Sequence, residues 1–93
     1  MISRKTIRRV INNYNRYRMP LVEASLIGTK RNRIILRFSG DFCATCGFYD
    51  YFDDLKFQLQ TETGHPVKIQ EIIDKGDGNY TAIFSVTPLV GFN

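Results

Sequence analysis

Nowhere in this 93-residue chain do the roughly 18 consecutive apolar residues of a membrane span occur. No apolar segment near the N-terminus reads as a secretion signal. Cysteine is scarce: Cys43 and Cys46 are the two in the chain, too few for the disulfide framework of a small secreted domain. Histidine occurs once, at position 65. No Gly-rich phosphate loop precedes a helix, and there is neither a Ser-His-Asp set nor an HExxH motif. Nothing in the sequence identifies an enzyme. The expectation is a single domain over residues 1–93 that is non-enzymatic, cytoplasmic and without a membrane partner.

Acidic residues are missing from one region in particular. Residues 1–38 carry ten basic side chains against Glu23 alone, a balance of +9, whereas residues 39–93 carry Lys56, Lys68 and Lys75 against eight acids, a balance of −5. Such asymmetry implies an anionic partner, or attraction between the two halves or between subunits. The acid-free, Arg-rich start "MISRKTIRRVINNYNRYR" also has the amphipathic character of an organellar presequence. Five Tyr and seven Phe supply enough aromatic surface to argue against disorder.

The patterning predicts the order α-β-β-α-β-β. Ser3 is placed as an N-cap, and Ile7, Val10, Ile11, Tyr14 and Tyr17 recur at helical spacing. Pro20 ends that helix. Leu21–Ile27 is the first predicted strand, with Val22, Ala24 and Leu26 on one face, followed by a "GTKRN" turn. "RIILRF" alternates, with Ile34, Leu36 and Phe38 inward. A second helix is predicted from about Thr45–Gly47 to Thr63–Gly64, burying Phe48, Phe52, Leu55 and Leu59 with Tyr51 beside them. Gly64 and Pro66 suit its end. "PVKIQEIID" and "NYTAIFSVT", joined by "KGDGN", form a closing hairpin with Tyr80, Ala82, Phe84 and Val86 inward. The fold class is α+β: a two-layer sandwich with a four-stranded antiparallel sheet and two helices on one face. Ile27, Ile35 and Ile83 would then point away from the helices, which suggests a homodimer interface. Residues Pro20, Ile27, Phe38 and Ser39 echo Pro66, Ile73, Phe84 and Ser85 at an offset of 46, read as convergent αββ geometry.

The stretch "FCATCGFYDYFDD" places C-x-x-C at a helix entry, the local arrangement of thioredoxin-like redox sites. A helix N-terminus favours thiolate. The surrounding order lacks the further strand and helix of that fold, and Asp41 and Asp50 oppose thiolate formation. Two thiolates are also half of a structural zinc site. His65, at the far end of the predicted helix and roughly 25 Å away, cannot complete it. Zinc is therefore conceivable only as a site shared by Cys43 and Cys46 of two subunits, and no cofactor is expected within one chain. Buried thiols acting as small hydrophobes, or a local disulfide, are the plain alternative. Asp50, Asp53 and Asp54 read as a solvated helix face rather than a hard-metal cluster.

The segments "RIILRF", "SGDFCATCGFYDYFDDL", "GHPVKIQE", "KGDG" and "YTAIFSV" resemble, over about residues 20–87, the 4-vinyl-reductase-type or hydrocarbon-binding domain. Members carry a longer N-terminal part, cysteines near the last hairpin where this chain has Ile72, Ile73 and Tyr80, and a wider interval between the residues matching Glu71 and Gly76–Asp77. The resemblance implies a small-molecule-binding or sensory module, often dimeric and related in fold to subunits of the TRAPP transport particle. In some archaeal relatives the domain is joined to a transcription regulator and responds to redox state. Cys43, Cys46, Phe48 and Tyr49 map to the region that would line or gate such a site.

The expected function is accordingly a small-molecule-binding or redox-sensing domain, probed through Cys43, Cys46, Phe42, Phe48, Tyr49 and Phe52. An apolar ligand would be bounded by Phe38, Phe42, Phe48 and Phe52. The alternatives are nucleic-acid binding and dithiol oxidoreductase chemistry. The first would use Arg4, Arg8, Arg9, Arg16 and Arg18 of the basic first helix, with Lys30 and Arg31 of the Lys30–Arg33 turn, for phosphates, and Tyr17 for stacking.

Overall fold

The computed structural model describes residues 3–19, 21–40 and 48–87, with only the backbone of Phe48. The elements are α1 (Arg4–Arg18), β1 (Val22–Lys30), β2 (Arg33–Gly40), α2 (Phe48–Thr63), β3 (Val67–Gly76) and β4 (Asn79–Val86). This is the α-β-β-α-β-β order the patterning predicts. All four strands pair antiparallel in the order β1-β2-β4-β3. The chain thus crosses from β2 through α2 to β3, leaving room for β4 between them. Both helices cover one face, and a single core joins them to the sheet.

Local chemistry accounts for each element. Ser3 caps α1, its Oγ accepting from the Thr6 amide at 3.2 Å, which satisfies one of the orphan donors of the first turn. Ile7, Val10, Ile11 and Tyr14 are buried, as their spacing predicts. Tyr17 departs from that reading. It lies at the margin of the stripe, beside a groove between the two helices, and is 80% exposed. The next position on the stripe, 18, holds an arginine that reaches α2 instead. On α2, Phe52, Leu55 and Leu59 are fully buried. The predicted start of this helix falls in residues 41–47, outside the described residues. Its end, Gly64, takes φ +73, as a left-handed C-terminal cap does.

The first hairpin is longer than predicted. Gly28, Thr29 and Lys30 belong to β1, and the turn shrinks to Arg31 and Asn32, with Arg31 at φ +55. An irregularity between Leu26 and Gly28 leaves Ile27 outside the regular pairing. A second irregularity, between Ile69 and Glu71, does the same to Gln70 on β3. Each is an extra residue that the partner strand does not match. After the one at Gln70 the alternation of β3 reverses: Ile72 packs against the core while Ile73 turns to the open face.

The offset-46 echo corresponds to the architecture: adding it to the bounds of β2 gives those of β4. The two αββ halves also protect their edge strands alike. Asn15 of α1 donates to the Ala24 carbonyl at 2.9 Å and accepts from the Ala24 amide at 2.8 Å. Gln60 of α2 accepts from the Val67 amide at 3.0 Å. Each helix therefore supplies a side-chain amide to backbone groups that a further strand would otherwise use.

Tyr14 joins the layers. It is wholly buried, its hydroxyl donates to the Tyr51 carbonyl at 2.9 Å, and its ring meets Phe38 edge-on at 5.8 Å. Burial holds its phenol well above the ordinary range, outweighing the opposing pull of Arg18. A pKa raised by folding stabilises the fold below the unfolded value, about 10, and that stabilisation is lost as pH rises beyond it. The thermal midpoint should therefore fall above about pH 10, and fall less steeply in Tyr14→Phe. That variant should lose about 0.5–1.5 kcal/mol at neutral pH with its hydrogen bond. Parallel midpoint-versus-pH curves for the two proteins would refute this role.

Candidate functional site

The opposed charges of the two halves are partly consumed where α1 meets α2. Among the described residues three ion pairs form: Arg9–Glu62 at 3.0 Å, Arg18–Asp54 at 2.9 Å and Lys56–Asp53 at 3.8 Å. Arg18 places both Nε and an Nη on one Asp54 oxygen, and its guanidinium lies 5.2 Å from the centre of the Tyr51 ring. The hydrogen bond to Asp54 holds the Arg18 pKa above its ordinary value. Two of the arginines expected to contact phosphate, Arg9 and Arg18, thus clamp the helices together.

The other expected cations are exposed. Arg4, Arg8 and Arg16 lie on the outer surface of α1, and Arg8 borders a groove beside Ser25 and Leu26 of β1. Tyr17 and Phe57 flank a separate groove between the helices. Tyr17 therefore lies on the helical layer, on the opposite side of the molecule from the open sheet face.

Lys30 and Arg31 come together with their neighbours Asn32 and Arg33, and with later residues that the sequence alone does not group with them. Together with Asn32, Arg33, Gln70, Ser85, Val86 and Thr87 they line a shallow cleft of about 520 Å³ at one end of the sheet. The Val86 amide donates to the Asn32 carbonyl at 2.7 Å, pinning the β1–β2 turn against β4. Among the described residues no carboxylate pairs with Lys30, Arg31 or Arg33. Strand register extends the set. Lys30 pairs with Arg33, Arg33 with Ser85, and Ser85 with Lys68, so one row across the open face carries three cations. Arg37 stands further along β2 on the same face. Lys68 and Gln70 could be grouped with the first hairpin only through the pairing of β2 with β4, which no local signal reports.

The predicted ligand and redox residues divide differently. Phe42, Cys43 and Cys46 lie outside the described residues, as does the side chain of Phe48. Tyr49 is exposed at the start of α2. Phe52 and Phe38 are fully buried, with ring centres 4.6 Å apart, so both rings are occupied by core contacts. His65 follows α2 at its C-terminal end. Among the described residues no three His, Cys, Asp or Glu side chains gather in a way that could hold a metal. None of the described helices is long and apolar enough to cross a membrane.

The fold and the cleft define a small two-layer α+β domain with a concentrated cationic end. The chain matches no protein-family model, no curated protein and no solved structure.

Proposed function

We propose that this protein is a non-enzymatic nucleic-acid-binding module whose phosphate contacts centre on the cleft of Lys30, Arg31 and Arg33. The observation that carries this reading is the gathering of these unpaired cations with the hydrogen-bonding side chains of Asn32, Gln70 and Ser85 in one cleft. Guanidinium groups recognise phosphate through two parallel N–H donors. Amide and hydroxyl side chains complete such contacts. A free phosphate would occupy the cleft alone. Lys68 and Arg37 continue the positive charge beyond it, which suits a ligand with several phosphates.

Fluorescence anisotropy with labelled oligonucleotides of about 12 nucleotides at several salt concentrations tests the reading. Lys30→Gln, Arg31→Asn and Arg33→Gln combined removes three charges. Asn is chosen at position 31 because it tolerates the left-handed backbone there. The slope of log affinity against log salt should become shallower by about two to three, with unchanged circular dichroism. Binding that is independent of salt, or an unaltered slope in the variant, would exclude the cleft as a phosphate site.

A further inference from the structure

The sheet face turned away from the helices has an apolar centre within a cationic surround. Ile35 pairs with Ile83 at the middle of β2 and β4, and Ile73 lies beside Thr81 one row further along. All three isoleucines are partly buried, and among the described residues no element is layered over them. Around them stand Lys30, Arg33, Lys68 and Arg37, against Glu23 and Glu71. Among the described residues none of these charges forms an ion pair. Arg33 and Arg37 are four residues apart on one strand, about 13 Å, and the isoleucine pair lies between them.

We infer that this face is a track for single-stranded nucleic acid, with bases lying over Ile35, Ile83 and Ile73 and phosphates held by Arg33, Lys68 and Arg37. This rests on the nucleic-acid reading of the adjoining cleft and names the form of ligand it takes. The bases of a single strand are free to lie on a broad surface, as those of a duplex are not. Among the described residues no helix or loop stands out from this sheet face to enter a groove. An arginine plane is itself a stacking surface for a base. Electrostatics selects this occupant over a second copy of the chain. Four cations stand against two carboxylates on this face, so stacking two copies would set net positive charge against net positive charge. A polyphosphate supplies the missing counter-charge.

Three measurements decide the matter. Isoleucine-methyl NMR on addition of an unlabelled single strand should show ring-current shifts at Ile35, Ile73 and Ile83, with the core methyls of Ile7 and Ile34 unmoved. In anisotropy, the single strand should bind at least tenfold more tightly than a duplex of the same sequence. Ile83→Glu should weaken single-strand binding about tenfold or more. Arg37→Gln, on an exposed side chain that leaves the fold intact, should weaken it several-fold. If neither form binds the wild-type protein, the nucleic-acid reading and this inference fall together. Three outcomes overturn the track alone, leaving the cleft as the binding site: preference for duplex, binding without ring-current shifts at Ile35, Ile73 and Ile83, or single-strand affinity indifferent to both variants. Sedimentation showing a dimer that Ile83→Glu dissociates would assign the face to a second copy and overturn it likewise.

Discussion

Phe38→Ala should cost about 3–5 kcal/mol of folding stability, the usual penalty for truncating a fully buried Phe. The position is severe because Phe38 of β2 is the point at which three other elements meet. Its ring centre lies 4.6 Å from that of Phe52 on α2, 5.8 Å from Tyr14 on α1 and 6.4 Å from Phe84 on β4. Each neighbour is itself wholly buried, so little can move in to fill the void. A domain of this length has a total stability of roughly 5–14 kcal/mol, so the substitution removes a large share of it. The midpoint should fall by tens of degrees, at about 4–8 °C for each kcal/mol. Urea unfolding followed by circular dichroism measures the loss. Phe38→Leu, which retains much of the volume, should lose substantially less. A loss below about 1.5 kcal/mol for the alanine variant would contradict the central place of this ring.

Gly40→Ala should be nearly as damaging, although only one methyl group is added. Gly40 ends β2 at φ +152, a conformation that side chains rarely adopt. A Cβ there would fall on the Leu21 carbonyl oxygen and lie 2.8 Å from the Val22 Cα. Both obstacles are backbone, at the point where the chain leaves α1 and enters β1, so neither can rotate aside. The Gly40 amide also donates to the Gly78 carbonyl at 3.1 Å, joining this corner to the β3–β4 turn. Strain and overpacking together should cost roughly 2–4 kcal/mol. Gly28→Ala is the matched control: nothing lies within 4 Å of its Cβ position. That variant should be neutral or stabilised by up to about 1 kcal/mol through the unfolded chain. Equal denaturation midpoints for the two variants would show that the corner at Gly40 can relax.

Much of the architecture was legible because its causes are local. The stripe of Ile7, Val10, Ile11 and Tyr14 has the period of a helix, and Ile34, Leu36 and Phe38 have that of a strand. Ser3 and Gly64 mark their helix ends through hydrogen bonding and backbone freedom within a few residues. Local pattern makes the first hairpin turn too long because Gly28 and Thr29 look like turn residues, whereas the displacement of Ile27 carries the strand through them. The exposure of Tyr17 was missed because spacing gives a direction around a helix but not where the neighbouring layer stops.

The candidate site was less legible. Lys30 and Arg31 were identifiable as exposed cations beside a turn, and Arg33 and Arg37 as outward positions on an alternating strand. Lys68 and Gln70 lie more than 30 positions later in the chain, and only the register of β4 brings them alongside. Ile73 joins Ile35 and Ile83 because Gln70 interrupts the alternation of β3; simple period-two counting from Val67 would place it inward. Arg9 and Arg18 could not be separated from the free arginines by composition. Their engagement depends on Glu62 and Asp54 facing them from another helix.

By itself, then, the sequence determined the identity and order of the six elements, the inward face of β2 and β4, and the excess of positive charge in the first half. Each follows from the period of a single segment or from a sum over residues. The tertiary structure alone decided which cations stay unpaired, that Ile73 joins Ile35 and Ile83 on the open face, and where a cleft forms. Those depend on pairing β2 with β4 and packing α1 on α2, contacts between residues far apart in the chain. No local period encodes them.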